Sequence, residues 1–138
     1  MSGDAEAVVR RVYELFTRAM SVDAAFAELQ SLLHPDAEYV NPPDAVEPGT
    51  RRGVDGWRAA LSSTADGLGQ DAKFVMKEVV ERGDHVFALV SLRTGGTASG
   101  VEVDGPTIGT VWTVRDGLVR RFEWCWKPEE ARAIFDSA

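Results

Sequence analysis

The stretch Val111–Lys127 reads Val-Trp-Thr-Val-Arg-Asp-Gly-Leu-Val-Arg-Arg-Phe-Glu-Trp-Cys-Trp-Lys and carries three of the chain's four tryptophans. It reads as two strands folded about Arg115-Asp116-Gly117. A glycine at the third turn position suits a type I turn closed by a bulge, because that position needs φ > 0. This register sets Val114 opposite Leu118, Trp112 opposite Arg120, Thr110 opposite Phe122 and Ile108 opposite Trp124, with Trp126 further along the same side. Side chains alternate across a strand, so Val111, Thr113, Val119, Arg121, Glu123, Cys125 and Lys127 fall on the other side. A two-residue turn at Asp116-Gly117 would instead put Trp112 opposite Arg121, away from the other rings. The first register is preferred because it keeps Trp112, Phe122, Trp124 and Trp126 together. Its blemish is Arg120 on the ring side, placed near the turn with its guanidinium over Trp112. An aromatic wall of this kind needs a cover, either helices or a ligand held between them and the wall.

The rest of the chain supplies that cover. Asp4 and Glu6 suit a first helical turn, and Val8, Val12, Leu15, Phe16 and Ala19 recur at helical spacing over roughly residues 4–20, with Tyr13 and Met20 bordering the stripe. Ser21 or Asp23 caps a second helix in which Phe26, Leu29, Leu32 and Leu33 share a face, and Pro35 stops it at His34. Ala37–Asn41 is a short strand ended by Pro42-Pro43, and the segment to Gly53 is a loop. A third helix runs from about Val54 to Ala65 with Trp57, Ala60 and Leu61 on one side, and Asp66–Asp71 links it to the next strand. Strands follow at Ala72–Glu81 and His85–Arg93, turning at Arg82-Gly83-Asp84. The glycine-rich Thr94–Pro106 reads as a long, mobile hairpin connection. Pro128 opens a terminal helix that ends near Phe135. The order gives an α+β plan, with helices packed on one face of a curved, mainly antiparallel sheet.

Composition bounds the function. At 138 residues the chain suits one domain spanning 1–138 and can bury a real core. A formal charge of −7, with basic pairs scattered at Arg10-Arg11, Arg51-Arg52 and Arg120-Arg121, argues against nucleic acid and anionic membrane. One cysteine leaves no internal disulfide and no cysteine-based zinc site, and two separated histidines give no metal-ligand spacing. The acidic start is unlike a secretory signal and no apolar run reaches membrane-spanning length, so a cytoplasmic location is expected.

Several short motifs occur in a telling order. They are His34-Pro35-Asp36, Asn41-Pro42, Arg52-Gly53 leading a helix, Gly83-Asp84, Arg115-Asp116-Gly117, and a strand running into Pro128-Glu129-Glu130-Ala131. Together they resemble the SnoaL-like polyketide cyclase and ketosteroid-isomerase-like families of the nuclear transport factor 2 superfamily. The resemblance implies a cone-shaped roll: a strongly bent sheet wraps three helices from the N-terminal half, and a pocket opens between them. It implies that Trp112, Phe122, Trp124 and Trp126 face the interior, and that the outer sheet face joins two copies into a homodimer.

The departures from the family pattern carry the functional question, because fold alone does not fix function. Ketosteroid isomerases carry a proton-shuttling Asp where this chain has Asn41, which cannot accept and return a proton at neutral pH. Limonene epoxide hydrolases place a Tyr and an Asn two apart on this strand, and Tyr39-Val40-Asn41 matches that pair. Their Asp-Arg-Asp set is missing here, and Lys127 stands where many SnoaL-like sequences have Asp.

The candidate catalytic residues are Tyr39 and Asn41, which share a strand face, and Tyr13, which would project from the first helix as a donor. Phe16, Trp57, Trp112, Phe122, Trp124 and Trp126 are the expected ligand-binding rings. Asp44, Glu47 and Glu78 are the carboxylates that would replace the missing base. His34 reads as a helix-end residue, His85 as exposed, and Cys125 as lacking a partner for nucleophilic work. The expected function is to hold a small, largely apolar organic molecule without a cofactor or metal. If the protein is an enzyme, the chemistry is isomerisation, cyclisation or hydrolysis; the alternatives are a non-catalytic binder and a dimeric assembly module.

Overall fold

The computed structural model describes residues 4–19, 23–68, 73–96 and 101–138. Met20, Ser21, the end of the 66–71 link with Ala72, and residues 97–100 lie outside the described residues. The elements are α1 (Asp4–Ala19), α2 (Asp23–Gln30), β1 (Leu33–Asn41), β2 (Gly49–Arg52), α3 (Gly53–Leu68), β3 (Lys73–Arg82), β4 (His85–Gly96), β5 (Val101–Arg115), β6 (Leu118–Cys125) and α4 (Pro128–Ser137). The strands form one sheet in the order β2-β1-β6-β5-β4-β3. Every pairing is antiparallel except β1 with β6. Register shifts at Met76/Glu78, Ser91/Arg93 and Thr113/Val114 are the bulges that bend such a sheet. The result is the α+β cone.

Inside the bend, α1 contributes Val9, Val12, Leu15 and Phe16, α2 contributes Phe26 and Leu29, and α3 contributes Trp57 and Leu61 to the main core. The acidic first turn of α1 is closed from the sheet: Glu81 Oε1 accepts the amides of Ala5 and Glu6 at 3.0 and 3.2 Å. A carboxylate there satisfies orphan helix donors and complements the helix dipole.

The structure corrects five local readings. First, α2 ends at Gln30 and not at His34. The amide of Leu32 folds back on Leu29 O at 2.9 Å, and Leu32 O then accepts from Val119 N at 2.8 Å. Leu33 therefore enters the sheet beside Val119, and the register break before Glu38 accommodates Pro35, which has no amide to donate.

Second, residues 94–96 and 101–106 are strand, not a loose connection, with Thr94 facing Val103 and Gly96 facing Val101. Third, Gly49–Arg52 pairs with Glu38–Asn41 as a short edge strand within the expected loop.

Fourth, the tryptophan hairpin uses the two-residue turn. Asp116 and Gly117 both have positive φ, 55° and 76°, and Arg115 pairs with Leu118. The feared flip of Trp112 does not follow, because Thr113 faces Arg121 while Val114 faces Val119, leaving Arg120 as the extra residue of a bulge. Beyond the bulge Trp112 sits opposite Phe122 and Thr110 opposite Trp124. Trp112, Phe122 and Trp124 thus share the inner face, and Val119 turns inward as well, into the core. Arg120 approaches Asp116 at 4.0 Å while its Nε is buried without a partner, and the described cation–ring contacts belong instead to Arg58, Arg82 and Arg132.

Fifth, the helices do not all lie on one face. α4 packs on the outer side, where Ala131 and Phe135 join Phe87, Val111 and Cys125 in a second core. Gly109 makes this possible, since a Cβ there would lie 2.5 Å from Ala131 Cβ and 2.9 Å from Pro128 Cα.

Candidate small-molecule pocket

A cavity of about 310 Å³ opens between the inner sheet face, α1 and α3. Its deep wall is Phe16 from α1, Phe74 from β3, Leu92 from β4, Ile108 from β5 and Phe122 from β6. The rings hold one another edge-on or tilted: Phe16 to Phe74 at 4.9 Å, and Tyr39 to Phe122 at 4.8 Å between centroids. Toward the mouth stand Ala45, Val46 and Glu47 of the loop after β1, Arg51 of β2, Ser63 and Thr64 of α3, and Trp124 and Trp126. Val46 is 99% exposed and Trp126 41%, the exposed large apolar side chains among the described residues, and both border this opening.

The polar groups are few and mostly committed. The Tyr13 hydroxyl donates to Thr110 Oγ1 at 3.1 Å, the Trp112 indole donates to the same oxygen at 3.0 Å, and Thr110 donates onward to Ala88 O at 3.0 Å. Burial drives the Tyr13 phenol well above its ordinary pKa, with Thr110 and Trp112 pulling partly back. Burial likewise pushes Tyr39 up to about 12, opposed by the Thr64 hydroxyl and the Arg51 charge. Both phenols are therefore protonated at neutral pH and act as donors, not bases. Asn41 Oδ1 accepts the Trp124 indole N–H at 2.7 Å. At the mouth Arg51 and Ser63 both donate to Glu47 Oε2.

Of the residues singled out in the sequence, Tyr13, Phe16, Tyr39, Asn41, Phe122, Trp124 and Trp126 border the cavity. Trp57 and Trp112 do not. Both are 0% exposed, and each indole N–H is spent inside the fold, Trp57 on Ala37 O at 3.2 Å and Trp112 on Thr110. They form the layer behind the wall, with Trp112 4.4 Å from Phe122 and Trp57 5.0 Å from Tyr39 between centroids.

Among the carboxylates, Glu47 lies on the wall, whereas Asp44 and Glu78 are exposed away from it. His34 Nδ1 accepts the Asp36 amide at 3.0 Å, a local turn contact. Cys125 lies under α4, and burial pushes its thiol up to about 11, with Glu123, Glu130 and Asp44 adding to the rise. Such a thiol is a poor nucleophile. Among the described residues no group of His, Cys, Asp and Glu has metal-holding geometry, and no helix is long and apolar enough to cross a membrane.

Phe74, Leu92, Arg51, Ser63 and Thr64 went unmarked in the sequence, and Ile108 reads there only as the ring-side partner of Trp124. Phe74 lies at the start of β3, whereas Leu92 and Ile108 lie within β4 and β5, and only the curl of the sheet turns the three toward one hollow. Val46 was the available signal, an apolar residue in a proline-rich loop with no strand or helix to bury it.

A model of the SnoaL-like domain matches residues 9–122. TerC, solved co-crystallised with polyporic acid, superposes with a TM-score of 0.70 at 23% identity, over 99% of this chain and 100% of that one. An NTF2-like protein of unknown function from Burkholderia pseudomallei gives a TM-score of 0.69 at 21% identity, covering 98% of each chain. A putative SnoaL-like polyketide cyclase from a Jannaschia species gives 0.68 at 18% identity, over 98% of this chain and 92% of that one. No curated protein matches the chain. At these identities the likeness to solved structures is one of fold.

Proposed function

This chain belongs to the SnoaL-like domain family, and from that membership we propose that it binds a small, flat, largely apolar organic molecule in the cone, without a cofactor. The observation that carries this reading is the ring-walled cavity of about 310 Å³ whose mouth is flanked by exposed Val46 and Trp126. Its size falls at the lower end of the range for organic ligand sites. A fold relative, TerC, was co-crystallised with a small organic molecule, polyporic acid. Rings stack on the carbon skeleton, and the neutral Asn41 amide and Tyr39 phenol orient a polar group.

If the bound molecule is turned over, Asn41 and Tyr39 polarise a carbonyl and the chemistry is isomerisation, cyclisation or hydrolysis. Glu47, the carboxylate on the wall, favours this second reading, because it is the group that could take up a proton there. The outer sheet face beside α4 is the place for a second copy, and sedimentation velocity tests it: a monomer at micromolar concentration removes the dimer.

Native mass spectrometry, with a panel of flat aromatic ketones added to the purified protein, tests the binding reading. One-to-one complexes are expected, and Ala60→Phe, which fills the cavity from α3, should abolish them. Failure of every ketone to bind, or complexes indifferent to Ala60→Phe, contradicts it.

A further inference from the structure

We infer that the pocket selects its ligand by hydrogen-bond polarity: the molecule enters apolar end first and leaves an acceptor oxygen, of a ketone or quinone type, against the Asn41 amide N–H2. This deepens the binding reading and rests on it. An indole N–H only donates, so Trp124 fixes the carbonyl end of Asn41 toward itself at 2.7 Å. Turning the amide over would set two donors face to face.

Tyr39 apart, the hydroxyl protons of the inner wall are already taken. Tyr13 gives its proton to Thr110, whose own proton goes to Ala88 O. Thr64 donates to Ala60 O at 2.9 Å, and the protonated Tyr39 hydroxyl lines the same cavity. Arg51 and Ser63 turn to Glu47 at the mouth. Among the described residues none accepts the Asn41 N–H2, and the deep wall of Phe16, Ile108 and Phe122 is apolar. The group that would meet a ligand's polar end is therefore a donor held in one orientation, and it prefers an acceptor over a donor.

Three tricyclic probes of nearly one shape test this by calorimetric titration: 9-fluorenone carries an acceptor, carbazole a donor, and fluorene neither. The wild-type protein should bind fluorenone about tenfold more tightly than carbazole, with fluorene between them. Asn41→Asp keeps an acceptor for Trp124 but presents a second acceptor to the cavity, so the order of fluorenone and carbazole should reverse. Trp124→Phe frees the amide to turn over and should bring the two affinities together. Equal wild-type affinity for fluorenone and carbazole, or an order unmoved by Asn41→Asp, overturns the inference and leaves the binding reading standing. Absence of binding by all three overturns both.

Discussion

Replacing Thr110 by Val isolates the polar node behind the pocket. Valine matches threonine in shape, so packing is kept while one oxygen is lost that accepts from Trp112 and Tyr13 and donates to Ala88 O. Trp112 is fully buried, and its indole N–H then has no partner. A buried donor left unpaired costs about 1–3 kcal/mol. Tyr13 borders the cavity and can turn toward water there, so its share is smaller, and the Ala88 carbonyl keeps its place in the β4 ladder. The sum is about 2–4 kcal/mol. Thr110→Ser keeps the oxygen and loses one methyl, about 1 kcal/mol of buried apolar area. Urea unfolding followed by tryptophan fluorescence should therefore place the valine variant below the serine variant by about 1 M in midpoint, for a difference of about 2 kcal/mol and a slope of about 2 kcal/mol per M. Equal midpoints, or a valine variant more stable than the serine one, would refute the hydrogen-bond node and return Tyr13 to the list of groups free to act on a ligand.

Three further outcomes follow from the same geometry. Tyr39, held near 12 by burial against an ordinary 10, keeps its proton in the fold after the unfolded chain has lost it. Tyr39 alone should take about 2–3 kcal/mol from stability between pH 10 and 12; Tyr13, raised further, adds to the fall in that window, and Cys125, raised to about 11, starts it below about pH 9. Tyr39→Phe should make the drop shallower, and an unchanged urea midpoint profile would contradict the burial argument. Gly109→Ala drives a methyl into Ala131 and Pro128, so α4 should loosen; hydrogen exchange should speed up across Pro128–Ser137 while α1 keeps its protection. Should a turned-over substrate be found, Glu47→Gln should cut kcat by about a hundredfold or more if Glu47 moves the proton; unchanged kcat would remove Glu47 from the chemistry.

Much of this architecture was legible because the signals were local. The stripe of Val12, Leu15 and Phe16 in α1 follows from spacing alone, and so does the shared side of Phe122 and Trp124 within β6. The failures came where distant contacts decided. Leu33 suits a helix face as well as a strand, and only β6 pulls it into the sheet. Glycines 95, 96 and 105 read as breakers, yet strand pairing holds Gly95 and Gly96, and Gly105 lies at the β4–β5 register shift, where a Cβ would meet Leu92 O at 2.7 Å; the close approach of two strands explains that residue better than a turn does. The bulge at Arg120 could not be read because both candidate turns assumed unbroken alternation. Trp57 and Trp112 looked like ligand rings for the reason any inward tryptophan does. What separates them from Trp124 and Trp126 is whether the indole sits in the sealed core or on the cavity wall, and that depends on Ala37 and Thr110.

The four tryptophans offer the most direct measurement of the central claim, since their indole N–H signals resolve in a proton–nitrogen correlation spectrum. Titration with 9-fluorenone should shift Trp124 and Trp126, which line the cavity, much more than Trp57 and Trp112, which lie behind it. Four indole signals that stay fixed at saturating probe, or shifts confined to Trp57 and Trp112, would contradict a ligand held in this cone.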